Sequence, residues 1–377
     1  MMNQATKRTW AEIDLSNLEH NYLALRGMLP RGCRFLGVVK ANAYGHGAVP
    51  VAKKLVELGA EYLAVACLDE AVELRKAGIA APVLILGPTL PAFSAEILEY
   101  GLTQAVADLE LAQALSDAAV KAGRTIKIHV KVDTGMSRLG FLCDEDTLER
   151  SVSEIIRVCS LPGLENEGCF THFANADGDE EYTMRQFTRF MDVLEKLSDR
   201  GVKFQIRHCA ASAAVLNYPC THLDMVRPGI AQYGHYPDPS CEGLDGPGLI
   251  PLMTLKTRVI SLRELSKGTC ISYGCTHVLT RDSRIAVLPV GYADGLERLL
   301  SNRGEVLVHG VRAPILGRVC MDLCMVDVTG IADVGIGDEV VIFGPQLPLE
   351  EKADVVGTIQ YEMLCGVSRR VPRVYID

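Results

Sequence analysis

The sequence predicts an α/β protein, with an N-terminal (β/α)8 TIM barrel over residues 14–240 and a mostly-β C-terminal domain over 250–377. Three observations carry this. Eight apolar runs alternate with amphipathic segments through the first part of the chain, the pattern of a parallel barrel wrapped in helices. Near residue 237 the texture changes to Pro237-Asp238-Pro239-Ser240 and a glycine-rich stretch from Gly243 to Gly248, which reads as a linker. The chain, at 377 residues, is also longer than one ordinary core organises.

Taken in order, residues 7–13 form a short strand outside the barrel rhythm, expected to join the second domain. Asp14-Leu15-Ser16-Asn17 then offers helix-capping side chains. The eight apolar runs cover approximately residues 34–40, 62–67, 82–87, 103–107, 125–132, 165–171, 203–208 and 223–227. Between them, Phe187, Phe190, Met191, Leu194 and Leu197 keep helical spacing, as do Val51, Leu55 and Leu58. From residue 250 the runs become short, rich in Val, Ile and Leu, and broken by Gly and Pro. They fall at 252–262, 284–290, 305–308, 313–319, 324–328 and 339–343, which predicts strands.

Composition narrows the function. The charge of -9 argues against a nucleic-acid or anionic-membrane partner. No apolar run approaches the roughly 20 residues needed to span a bilayer, and Met1 to Arg8 resembles no signal peptide. The 13 cysteines include no Cys-x-x-Cys pair, so reduced, mostly buried thiols in a cytoplasmic protein without a metal site are expected.

Barrel chemistry gathers where strands end and βα loops begin. Those positions hold Lys40, Lys131 with Asp133, His172, His208 and Arg227. Alternation would place Leu36, Val38 and Lys40 on one face of the first strand. An ammonium ending an apolar face is costly unless paired or chemically employed, and desolvation makes a lysine amine nucleophilic enough for a Schiff base. On the fifth strand Ile126, Ile128, Val130 and Val132 face the helices, while Lys127, His129, Lys131 and Asp133 face inward. That polar stripe suits either a site or a hydrated barrel floor with internal ion pairs. The last two βα loops carry Ser212 among alanines and Arg227-Pro228-Gly229-Ile230, small residues able to cradle a phosphate. A Schiff-base lysine beside a phosphate cradle suggests pyridoxal 5′-phosphate.

The chain resembles the alanine racemase family along essentially its whole length. The resemblance rests on Val38-Val-Lys-Ala-Asn-Ala-Tyr-Gly-His-Gly47, His129-Val-Lys-Val-Asp-Thr-Gly-Met-Ser-Arg-Leu-Gly140, Thr171-His-Phe-Ala174 and Val226-Arg-Pro-Gly229. Further matches are Ile271-Ser-Tyr-Gly274, Pro289-Val-Gly-Tyr-Ala-Asp-Gly295, Gly317-Arg-Val-Cys-Met-Asp322 and Gly357-Thr-Ile-Gln-Tyr-Glu362.

The resemblance implies interconversion of L- and D-alanine, an amino-acid racemisation that supplies D-alanine for peptidoglycan. Lys40 and Tyr273 would be its two bases, because a proton must leave one face of the α-carbon and return to the other. His172 and Arg227 would assist, with Arg227 facing the pyridine nitrogen and His208 supporting. The phosphate would be held by Tyr44, Ser212, the backbone of Gly229 and Ile230, and Tyr361. Arg138 and Met321 would meet the substrate carboxylate, Lys131 would be carbamylated, and Tyr292, Tyr361 and Asp322 would lie at or near the substrate entrance. Tyr273, Tyr292 and Met321 would come from the second subunit of a homodimer with shared sites.

Three positions depart from the family's common pattern: Ala211 where Asn precedes the serine, Leu323 where Gln follows Met-Asp, and Gln360 where Asn precedes the entrance tyrosine. These leave open a serine or broad-specificity racemase of the same fold. A single-barrel pyridoxal-phosphate carrier would lack the second domain, and a barrel-type decarboxylase would carry an acidic pyridine partner.

Overall fold

The computed structural model describes residues 8–243 and 246–377. Lys7 of the expected first strand, most of the N-terminal stretch screened for a signal peptide, and Leu244-Asp245 of the expected linker lie outside the described residues. The chain forms two compact units. One comprises Glu19–Ala43 and Ala48–Leu249; the other takes the chain up to Leu18, Tyr44–Gly47 and Ile250–Asp377.

The first unit is the expected barrel. Its strands are β1 (Arg34–Val38), β2 (Tyr62–Val65), β3 (Val83–Ile85), β4 (Thr103–Val106), β5 (Ile126–Asp133), β6 (Leu164–Phe170), β7 (Ile206–His208) and β8 (Met225–Val226). They pair in parallel and in chain order, and β8 returns to β1 through Met225 opposite Arg34. The seam between β7 and β8 is held by Asp224 N–H to Arg207 O at 3.1 Å and Arg227 N–H to Ala210 O at 2.9 Å. On β5 the apolar alternation is obeyed, with Ile126, Ile128, Val130 and Val132 all buried. The β5–β6 ladder slips by one residue: Ile128 faces Asn166, but His129 faces Gly168, so Glu167 is an unopposed bulge.

The amphipathic segments fold as helices. Glu180–Asp199 buries Phe190, Val193, Leu194 and Leu197, and Asp179 caps it by accepting the Tyr182 N–H. Ala48–Glu57 buries Val51 and Leu55, while Leu58 falls just beyond its end.

The second unit is built on a six-stranded sheet, ordered 311–314, 305–308, 339–343, 253–258, 10–14, 373–376. Trp10–Asp14 is antiparallel to Met253–Arg258 and parallel to Arg373–Ile376. Strands Ser261–Leu265, Ser283–Leu288 and Cys324–Asp327 make a second sheet. The predicted run 252–262 is thus two strands in different sheets. The run 313–319 is strand only to Pro314, because Gly317 turns at φ +72° where a Cβ would sit 2.5 Å from Ile271 O. Strand Arg373–Ile376 and helices Leu349–Val356 and Gln360–Gly366 complete the unit, and none was expected.

Six of the thirteen cysteines are buried, whereas Cys67, Cys220, Cys270, Cys275 and Cys365 are exposed; all are free thiols. Among the described residues no helix is long and apolar enough to cross a membrane.

Candidate active site

Lys40 does not extend β1, as alternation suggested. The strand stops at Val38, whose carbonyl accepts from Gln232 Nε2 at 2.7 Å and Tyr233 Oη at 2.8 Å. Lys40 opens the next turn, where Ala41, Asn42, Ala43 and Tyr44 are all left-handed, with φ of 51–54°. Four such non-glycine residues cost roughly 1–2 kcal/mol each, so neighbouring contacts must hold them. Glu70 supplies one clamp, its carboxylate accepting from Ala41 N–H at 2.6 Å and Ala66 N–H at 2.7 Å. Asn42 supplies another by accepting the Ala48 N–H at 2.9 Å.

Asp133 builds the next loop. Its Oδ1 accepts the N–H groups of Gly135, Met136 and Ser137 at 2.9–3.0 Å, and Oδ2 accepts that of Arg138 at 2.9 Å. Burial works to raise this carboxyl's pKa, but the four bonds outweigh it and leave it lowered. The outcome is a fixed loop presenting Arg138.

Arg227 is 4% exposed and bound on several sides. Its Nη1 donates to His208 Nδ1 at 2.9 Å, and Nη2 donates to the carbonyls of Thr171 and Cys209 and, at 3.3 Å, to His172 Nδ1. Burial pulls Arg227 down to about 10, still a cation at neutral pH. The His172 imidazole is held well below its ordinary pKa by burial, then by Arg227, Lys131, Arg138 and Lys40. One ring therefore feels four predicted site cations, which the barrel gathers at its C-terminal end. Lys131 is lowered to about 7 by burial and by Arg227 and Arg138.

Ser212 Oγ accepts from Gly229 N–H at 2.9 Å and Ala231 N–H at 3.2 Å, joining the two loops read as a phosphate cradle. The structure thus brings together Lys40, Arg138, Lys131, His172 and Arg227 with His208, and separately Ser212 with the Gly229–Ile230 turn.

The remaining predicted residues lie in the second unit. Tyr44 packs on Tyr361 with ring centroids 6.0 Å apart. Tyr273 is 71% exposed in a turn following Ser272, whose Oγ donates to Arg318 O at 2.6 Å. Met321 and Tyr292 are also exposed, and their loops are zipped by Tyr292 N–H to Cys320 O and Ala293 N–H to Met321 O, both 3.0 Å. Gly291 permits this approach, since a Cβ there would lie 2.3 Å from both carbonyls. Asp322 pairs with Arg370 at 2.7 Å.

The polar stripe of β5 divides in two. Lys131 and Asp133 belong to the site, while Lys127 and His129 join Glu167 and Tyr62 in an ion-paired cluster deeper in the barrel. Glu167 and Tyr62 were not singled out from sequence. The available signal was an acid within an apolar run one strand over from Lys127.

Comparison with known proteins bears on this arrangement. The family model for the N-terminal domain of alanine racemase matches residues 13–237, and that for its C-terminal domain matches 252–375. An alanine racemase of Desulforamulus reducens is 51% identical over 97% of this chain and 98% of its own. The solved alanine racemase of Clostridium difficile 630 superposes with a TM-score of 0.94 at 41% identity, covering 98% of this chain and 96% of that one. That of Bacillus anthracis, solved with bound L-Ala-P, has a TM-score of 0.90 at 37% identity, covering 98% and 95%.

Proposed function

The chain belongs to the alanine racemase family, and from that premise we propose that it interconverts L- and D-alanine with pyridoxal 5′-phosphate carried on Lys40. The observation that carries this reading is the buried imidazole of His172, which meets Arg227 through Nδ1 and lines one cavity with Lys131 and Arg138. So many cations at one barrel end, in a chain of net charge -9, suit a ligand bearing a phosphate and a carboxylate.

The donor set fits the cofactor. Ser212 Oγ accepts two backbone N–H groups, which leaves its own proton to donate to a phosphate oxygen. Arg227 commits Nη2 and one N–H of Nη1 to protein acceptors, which leaves Nε–H and the second Nη1–H as donors for a ring nitrogen. A guanidinium only donates, so it would keep that nitrogen unprotonated. Pyridoxal phosphate, when bound, supplies a conjugated electron-withdrawing ring that acidifies the substrate's α-proton.

The protein's part is to move that proton between faces. Lys40 Nζ would exchange it on one side and Tyr273 Oη on the other. His172 Nδ1 accepts from Arg227, so a neutral His172 carries its proton on Nε2, ready to donate to the phenolate form of a tyrosine. Arg138, on its Asp133-built loop, would receive the substrate carboxylate bidentately. Lys131 has an amine fraction free of its proton near pH 7, able to combine with carbon dioxide. The resulting carbamate would be an anion between Arg138 and Arg227.

Tyr273, Tyr292 and Met321 are exposed on connected loops, which suits residues that complete the site of a second copy. A cytoplasmic homodimer with shared sites, making D-alanine for peptidoglycan, follows from this reading. Turnover of L-alanine against L-serine by the purified enzyme tests it. L-alanine should be racemised faster; preference for L-serine would assign the chain to serine racemisation instead.

A further inference from the structure

We propose that Glu167, deep in the barrel, is a positioning residue that fixes the imidazole tautomer of His208 through His129 and so sets how Arg227 is held. This rests on the reading above only in assigning Arg227 a part in the reaction. The hydrogen-bond chain itself lies within the barrel unit.

The chain begins at the β5–β6 bulge. The slip between Ile128 and His129 leaves Glu167 without a partner on β5, while its side chain lies on the interior face it shares with Lys127 and His129. There the carboxylate receives Lys127 Nζ on Oε1, and Tyr62 Oη at 2.5 Å and His129 Nε2 at 3.2 Å on Oε2. Tyr62 donates to Glu167 and so accepts from Thr103 Oγ1, 2.7 Å away. Burial alone would raise the carboxyl, yet the bonds from His129, Lys127 and Tyr62 bring it down to about 2. It is an anion that only accepts.

From His129 the chain continues upward. His129 Nδ1 is 2.8 Å from His208 Nε2, and His208 Nδ1 is 2.9 Å from Arg227 Nη1. Three gaps separate an acceptor-only carboxylate from a donor-only guanidinium, and two imidazoles lie between. Only one proton arrangement fills every gap. His129 donates from Nε2 to Glu167, His208 donates from Nε2 to His129, and Arg227 donates to His208 Nδ1. Each imidazole is neutral and protonated on Nε2. Adding a proton to either ring would set two donors face to face in one gap. Both rings are wholly buried, with no water-facing alternative.

The packing around His129 is built for this role. A Cβ on Gly168, the residue after the bulge, would lie 2.6 Å from the His129 ring, so only glycine admits the imidazole there. His208 stacks on Phe170 at 4.7 Å with planes 4° apart, which prevents the ring from rotating to another partner. Arg227 thus has its Nη1 tied to a lone pair whose availability is decided three side chains away, at Glu167. Without that anchor, His208 could present Nδ1–H to Arg227, and the guanidinium would be pushed from its place.

Glu167→Gln provides the test, since Gln matches the shape but can donate as well as accept. In 15N-histidine NMR of the cofactor-free protein, with signals assigned from His129→Gln and His208→Gln, the parent chain should show His208 with a bare Nδ1 and protonated Nε2. Glu167→Gln should show a mixture of both tautomers. Lys127→Met, which leaves the acceptor in place, should show the parent pattern. In the loaded enzyme Glu167→Gln should lower kcat about tenfold in both directions with KM little changed, as for groups that orient a primary contact, and Glu167→Asp should restore part of it. If Glu167→Gln does not fold, Gly168→Ala, which displaces the His129 ring, should produce the same tautomer mixture. An Nδ1-protonated His208 in the parent chain, or an unchanged tautomer in whichever variant folds, overturns the proposal. Neither result would bear on whether the enzyme racemises alanine.

Discussion

Lys131 Nζ lies 4.5 Å from the centre of the Phe170 ring, and that same ring is stacked on His208. The aromatic face is a weak substitute for water around an ammonium, and Arg227 and Arg138 repel the charge further. Lys131 is accordingly lowered to about 7. Carbon dioxide adds to neutral amines only, so carbamylation should increase as pH rises through that value. In 13C NMR with labelled bicarbonate, a carbamate signal is expected to grow above pH 7 and to be absent from Lys131→Gln. A signal that persists in the variant would locate the chemistry elsewhere.

Two-base chemistry predicts asymmetry. Tyr273→Phe should suppress removal of the α-proton from one enantiomer far more than from the other, measured as deuterium exchange from solvent. A single general base is worth about 100- to 10,000-fold, so the difference should be large. Equal loss in both directions would exclude Tyr273 as one of a pair.

Shared sites predict complementation. Lys40→Ala and Tyr273→Phe chains, each inactive alone, should regain activity when mixed and refolded together, because one hybrid site would contain neither change. Confirmed hybrids without activity would rule the shared site out. Borohydride reduction of the parent enzyme should fix the cofactor on Lys40, as read by peptide mass spectrometry.

The buried histidines predict acid sensitivity. His129, His172 and His208 are all held below the ordinary histidine value, chiefly by burial. On unfolding they return to about 6.5, so below that pH the unfolded chain binds more protons and stability falls as pH falls. Each contributes up to ~1.4 kcal/mol per pH unit in that window. Glu167 extends the effect to lower pH, its stabilisation being lost from about 4.3 down towards 2. The melting temperature should therefore drop between pH 7 and pH 5, and drop less in His129→Gln.

Much of this was legible because it follows from periodicity. The eight apolar runs named the barrel, and strand ends named Lys40, Lys131, His172, His208 and Arg227. What escaped depends on contacts distant in sequence. Glu167 joins the buried cluster through Tyr62 on β2 and through Lys127 and His129 on β5, contacts that its own short run does not announce. The left-handed turn after Lys40 is held by Glu70 and Asn42, and no local preference of Ala-Asn-Ala-Tyr announces it. The strand at 373–376 is four residues long and gains its structure from a partner more than 350 residues away.

That last pairing has a consequence for how the protein is made. Trp10–Asp14 sits inside its sheet, between Met253–Arg258 and Arg373–Ile376, so both neighbours are synthesised long after it. The barrel's segments have all left the ribosome well before the final strand. During translation the barrel can close while the first strand waits with both edges unpaired, exposed to any other chain in the same state. Residues 373–376 complete the environment of residues 10–14. A chain truncated before Arg373 should therefore be recognised by quality-control proteases through the unpaired edge of Trp10–Asp14.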